Sequence, residues 1–258
     1  MLLRRPGLCT LPFMTKGAAL PAAEDHVNMF LAIRSGDIGA LHKLLTRHPG
    51  LAARLGGAAG GRTPLHVAAD WPGYFPNGPG IARMLIDAGA DVDAREEDGT
   101  GETPLHWTAS SDDADVARVL IHAGADLEAP GGSIGTPLDN AVGYGCWNVA
   151  RLLVERGAGV DKLWHASALG LLDRLEELLR DPVNRTEAAI DQAFWHACAA
   201  GYRRAAALLH EHGASLAFTP AYGRGTVLDA ASSHGTQRSN VIEWLEQLGV
   251  QRTGDDRS

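Results

Sequence analysis

Apolar and small residues recur along this chain in short helical phrases. Val116, Val119 and Leu120 hold the i, i+3, i+4 spacing that gives a helix one apolar stripe. Leu65 is followed by Ala68 and Ala69, small residues that let neighbouring helices approach closely. Glycine and polar residues separate the phrases, which predicts many short helices with frequent stops. The stretch from Asp126 to Gly135 has no helical period and carries Gly131-Gly132, so a hairpin-like loop is expected there.

The phrases repeat. Thr63-Pro64-Leu65-His66, Thr103-Pro104-Leu105-His106 and Thr136-Pro137-Leu138-Asp139 start 40 and then 33 residues apart, with Thr226-Val227-Leu228-Asp229 as a degenerate fourth. A second marker closes each helical stretch: Gly89-Ala90-Asp91, Gly124-Ala125-Asp126, Gly157-Ala158-Gly159 and Gly213-Ala214-Ser215. Threonine is placed to cap a helix, and proline sits just inside its start, where no amide donor is missed. The closing glycine suits the left-handed cap.

These residues resemble the ankyrin repeat, whose pattern is T-P-L-H-x-A-A, a turn, a helix, then G-A-D. Residues 103–135 follow that frame almost position by position. Turn glycines at Gly36, Gly170, Gly201 and Gly235 extend it to weaker units, giving about seven over residues 24–251. The resemblance implies an all-α solenoid of stacked helix-turn-helix units with short hairpin loops, atypical at its two ends. Residues 1–23 and 252–258 are then flexible tails, with Met14 a candidate start. Three departures stand out. The second unit carries an insertion, Trp71 to Gly80. The fifth and sixth units replace T-P-L-H with Trp164-His165-Ala166 and Trp195-His196-Ala197. A polar, proline-containing link from Arg180 to Ala188 replaces the hairpin between them, so a kink is expected near 180–190.

Composition agrees with the frame. Glycine is 31 of 258 residues, against a usual share of about 7%, and it falls largely at repeated turns and stops. Net charge is −8, which disfavours nucleic acid as a ligand because the chain lacks a basic excess to displace counterions. No apolar run reaches the ~18 residues of a membrane span. Cys9, Cys146 and Cys198 are too few and scattered for a disulfide framework and suit a reducing, cytoplasmic compartment.

Eleven histidines raise metal and catalytic readings. The resemblance assigns His66 and His106 to tying adjacent loops. His210 with His212, and His196 with Cys198, stand two apart on helices and point to different sides, unsuited to gripping one ion. Gly56-Gly57 and Gly60-Gly61 lack the lysine of a phosphate loop. No nucleophile stands in a recognisable catalytic setting, so neither cofactor, metal nor enzymatic activity is expected.

Charge is unevenly spread. Residues 63–162 carry 6 basic and 16 acidic groups. The acids gather at Glu96, Glu97, Asp98 and Glu102, expected on a hairpin tip, and at Asp112, Asp113 and Asp115, where acids at a helix start also serve its dipole. By the family frame, the two residues before each turn face the concave surface. They include Asp70-Trp71, Ser110-Ser111, Gly143-Tyr144 and Ser233-His234. Trp107, Trp164 and Trp195 are expected in the core. The expected function is therefore non-catalytic protein binding by a monomer. Its site would comprise Trp71, Glu96, Glu97, Glu102, Ser110, Ser111 and Tyr144, joined by Tyr74 and Phe75 of the insertion, and would face a basic partner surface. The first alternative is a regulatory or inhibitory subunit that docks residues 71–80 onto a dedicated enzyme or toxin, and the second, ranked below it, is a metal-dependent enzyme.

Overall fold

Thr63 shows how a unit begins. Its hydroxyl accepts from the His66 amide, and the His66 ring reaches back to the Thr63 amide at 3.2 Å. Thr136 and Thr226 make the same reciprocal box with Asp139 and Asp229. Each box satisfies amides that the first helical turn leaves without partners.

A computed structural model describes residues 21–53, 61–97, 99–223, 225–233 and 238–252. Residues 1–20 and 253–258, expected as tails, lie outside them, as do Gly56, Gly57, Gly60, Asp98, His234 and Gly235. Among the described residues are fourteen α-helices and no strand. They form seven pairs: α1 (Ala23–Ser35) with α2 (Ile38–Arg47), α3 (Pro64–Ala69) with α4 (Gly78–Asp87), and α5 (Pro104–Ser111) with α6 (Ala114–His122). Next come α7 (Pro137–Tyr144) with α8 (Trp147–Glu155) and α9 (Leu163–Ala168) with α10 (Leu172–Arg180). The last two are α11 (Glu187–Ala200) with α12 (Arg203–Glu211) and α13 (Val227–Ser232) with α14 (Ser239–Gln247).

First helices pack on first helices in sequence from α1 to α13, and second helices on second helices from α2 to α8 and from α10 to α14. One apolar core threads every unit, from Met29 and Ile33 through Leu65, Leu105, Leu138 and Phe194 to Leu245. Apolar burial of this kind is the main favourable term, at about 25 cal/mol per Å². Alanine pairs such as Ala68-Ala69 are fully buried, and this allows the close approach of neighbouring first helices.

The expected irregularity near 180–190 takes a specific form. The link is a 3-10 turn over Pro182–Asn184, and Thr186 then caps α11 by accepting from the Ala189 amide at 3.2 Å. α11 runs 14 residues where α9 has 6, so its first turns fill the place of the missing hairpin and pack along α9. Between units four and five the tie is polar: Lys162 and His165, at 2.5 and 2.9 Å, converge on the buried Asp139 carboxylate. Burial alone would raise the Asp139 pKa, yet the bonds from His165, Lys162 and Thr136 hold it well below the usual carboxylate range.

The insertion is anchored on both sides. Pro76 lies over Gly36, which sits at φ 70 and has no room for a side chain. Asn77 donates to the Gly36 carbonyl at 2.9 Å, the Tyr74 amide donates to Asp113 at 2.6 Å, and the Tyr74 hydroxyl donates to the Asp112 carbonyl at 2.8 Å. Phe75 stacks under the Arg34 guanidinium at 4.2 Å. The loop thus bridges the first and third units.

Candidate functional site

Most of the central acids hold the scaffold together. Asp113 caps its own helix, accepting from the Asp115 and Val116 amides. Asp112 stands at φ 58 in the turn, and its carboxylate accepts from the Asn148 and Val149 amides, both at 3.0 Å, and from the Asn148 side chain at 2.8 Å. It therefore caps α8 of the next unit, whose own cap residue Cys146 supplies no side-chain bond. Asp115 pairs with Arg118 at 2.5 Å.

The loop-tying histidines behave as the frame implies. Nε2 of His66 meets the Glu102 carbonyl at 2.9 Å, and Nε2 of His106 meets the Gly135 carbonyl at 3.0 Å. Burial lowers the His106 pKa, partly offset by that carbonyl. Arg95 clamps two loop tips, donating to the Gly101 and Pro130 carbonyls at 2.8 and 2.5 Å.

On the first-helix face these restraints frame a cleft of about 210 Å³. Its walls are Asp70, Trp71, Glu102, Trp107, Ser110, Ser111, Ser133 and Tyr144. Five of the nine sequence-selected residues meet there: Trp71, Glu102, Ser110, Ser111 and Tyr144. Trp71 is 74% exposed and Tyr144 53%, whereas Ser111 is buried and donates to the Ala69 carbonyl at 3.0 Å. Glu102 is fixed by its Oε1, which accepts from the Ser133 amide at 2.9 Å, the Ser133 hydroxyl at 3.1 Å and the Asn140 side chain at 2.9 Å. The Tyr144 hydroxyl pairs with that of Ser133 at 2.9 Å. Asp70 is already paired with Arg34 at 3.0 Å.

The other four lie outside the cleft. Glu96 is buried, its carboxylate accepting from the Thr100 hydroxyl and its amide donating to the Glu102 carbonyl at 3.0 Å. Glu97 is exposed on the same loop. Tyr74 and Phe75 belong to the anchored insertion described above. Burial raises the Tyr74 pKa, with the nearby acids acting in the same direction.

Trp107 and Trp195, both expected in the core, also line clefts. Trp107 is 8% exposed, edge-on to His66 and beneath Arg62, and it forms a wall of the first cleft. Trp195 is half-buried and lines a second cleft of about 270 Å³ with Tyr144, Trp147, His196, Tyr222 and Arg238. Ala199 and Ala230 line it too; Ala199 stands at the inner-face position before the turn at Gly201, and that small residue was the available signal. His196 bonds the Tyr222 hydroxyl at 2.9 Å, and burial pushes its pKa down to about 3. Burial also raises the pKa of both described cysteines, to about 11 for Cys146, so neither offers a ready thiolate.

Paired short helices, boxed by threonine and tied loop to loop by histidine, define a helical-repeat solenoid. Residues 74–162 match the family model for ankyrin repeats in three copies. Over those residues the chain carries ankyrin repeats, and its described helices have the ankyrin-repeat fold. A segment is 41% identical over 81 residues to Protein fem-1 homolog A of Danio rerio, covering 28% of this chain and 13% of that relative. The fold is similar to the human ASB11 ankyrin repeat domain, with a TM-score of 0.50 and 20% identity over 83% of this chain and 96% of that one. At that identity the likeness is one of fold. No described helix is long and apolar enough to cross a membrane.

Proposed function

We propose that this chain is a non-catalytic protein-binding module, acting as a monomer, whose first-helix face receives a basic segment of a partner. One observation carries the reading: Trp71 and Tyr144, both exposed on that face, line one cleft with the Glu102 carboxylate. Exposed Trp and Tyr supply large, rigid contact area, and a carboxylate between them favours a cation. The scaffold is already ordered by its caps and loop ties, so binding there loses little conformational entropy. Ankyrin repeats are in general protein-interaction modules, which supports the class of function.

The inhibitory-subunit reading has one observation in its favour. The insertion is held from both sides by Gly36, Asp112 and Asp113, so it presents Trp71 in a preformed position. Affinity purification followed by mass spectrometry, comparing wild type with a Trp71→Ala/Tyr144→Ala double variant, tests the proposal. Partners held by the wild type and lost by a normally helical double variant are the expected result. An unchanged partner set would refute it.

A further inference from the structure

The two clefts differ in charge and share a wall, and from this we infer that they are successive pockets for one extended partner segment. The first takes a cationic side chain and the second an uncharged aromatic or aliphatic one. The inference rests on the protein-binding reading above.

Tyr144 is the shared wall. It lines both clefts and its hydroxyl is fixed on Ser133, so one segment crossing it reaches from one cleft into the other. In the first, Glu102 is held through Oε1 alone. Oε2 takes none of those bonds and is the oxygen left to face a ligand. Asp70 is neutralised by Arg34, so the cleft carries one uncompensated carboxylate between two aromatic rings. That arrangement suits a guanidinium or ammonium group.

In the second cleft the charged groups are committed to the fold. Asp229 accepts from the Thr226 amide at 2.8 Å and its hydroxyl at 3.0 Å. Arg238 donates to the Ala199 carbonyl. His196 is bonded to Tyr222 and, being buried, stays neutral at physiological pH. Asp229 and Arg238 bring one charge of each sign, so a charged occupant would lose hydration with no net counter-charge in return, whereas an apolar one gains contact with the rings of Trp147, Trp195 and Tyr222.

The repeat sets the distance between pockets. Trp107 and Trp195 belong to the third and sixth units, three steps of roughly 8–10 Å each. An extended chain rises about 3.3 Å per residue, so the two side chains should stand roughly seven to nine residues apart.

The test is selection of random displayed peptides, long enough to span both clefts, on the full chain. The expected enrichment is a Lys or Arg and a bulky uncharged residue at that separation. Affinity should fall roughly tenfold in Glu102→Gln for the basic half, and in Tyr222→Ser for the apolar half. Both substitutions lie at exposed or half-buried positions, and circular dichroism checks that each variant keeps its helices. Peptides enriched for the cation alone, and indifferent to Tyr222→Ser, would overturn the two-pocket inference while leaving the protein-binding reading intact. Separate enrichment of basic and apolar peptides that bind together would likewise replace one segment by two partners. Peptides indifferent to Trp71→Ala/Tyr144→Ala would sink both. If R4S/R5S in the full chain raised affinity severalfold, the chain's own basic N-terminal segment would be the occupant, and the assignment to a partner would fail.

Discussion

Asp112 offers a sharp test of how the units are joined, because one side chain caps the following unit and stands at a left-handed position. Asp112→Ala removes the acceptor for the Asn148 and Val149 amides, a helix-cap loss of about 1 kcal/mol. It also places alanine at φ 58, which costs roughly 1–2 kcal/mol more. The expected total is roughly 2–4 kcal/mol once the Asn148 side-chain bond is included. Asp112→Gly relieves the backbone strain but not the cap loss, so about 1–2 kcal/mol is expected. Asp112→Asn keeps an acceptor and tolerates the left-handed turn, and should cost less than about 1 kcal/mol. Urea denaturation gives the order Asn, Gly, Ala from mildest to worst. Hydrogen exchange should show Asn148 and Val149 losing protection in the Ala and Gly variants. An alanine variant no less stable than the glycine one, or unchanged protection at those two amides, would refute the cross-unit cap.

Further outcomes follow from the same geometry. The unfolded imidazole titrates near 6.5, whereas His196 in the fold is pushed down to about 3. Between those values the unfolded chain binds a proton that the folded one refuses. Stability should therefore be complete above about pH 6.5 and fall by up to about 1.4 kcal/mol per unit toward pH 3. Urea midpoints at pH 7, 6 and 5 should show this fall, flattened in His196→Gln; equal slopes would count against it. His106→Ala leaves the Thr103 amide and the Gly135 carbonyl without their shared partner. It should cost about 2–4 kcal/mol, read as a lower urea midpoint. Gly36→Ala forces both a left-handed alanine and a clash with Pro76. It should cost more than the ~1–2 kcal/mol of the backbone alone, and proteolysis between residues 71 and 80 should quicken as the insertion detaches.

The repeat was legible because its determinants are local. Thr63, Pro64 and His66 lie within one turn of each other, and Gly124 closes its helix at φ 94 as the frame requires. The acids were harder to read because their roles depend on chain segments more than 30 residues away. Asp112 serves Asn148 and Val149, and Glu102 serves Ser133 and Asn140. Glu96 and Glu97 are adjacent and acidic, yet the loop turns one inward, where Thr100 bonds it, and the other out. Trp195 was expected in the core, yet it lines a cleft together with the small Ala199 and Ala230. The extended α11 was hidden because the sequence between residues 180 and 190 signals a missing hairpin without stating what fills the gap.

The central claim is that a partner is held on the first-helix face across Tyr144. Hydrogen-exchange mapping of the full chain with and without a captured partner tests it most directly. New protection is expected at the ends of α3, α5 and α7 and in the loops bearing Glu102, Ser133 and Tyr222, with little change along α4, α6 and α8. Protection confined to those second helices, with the Trp71 and Tyr144 region unaltered, would contradict it.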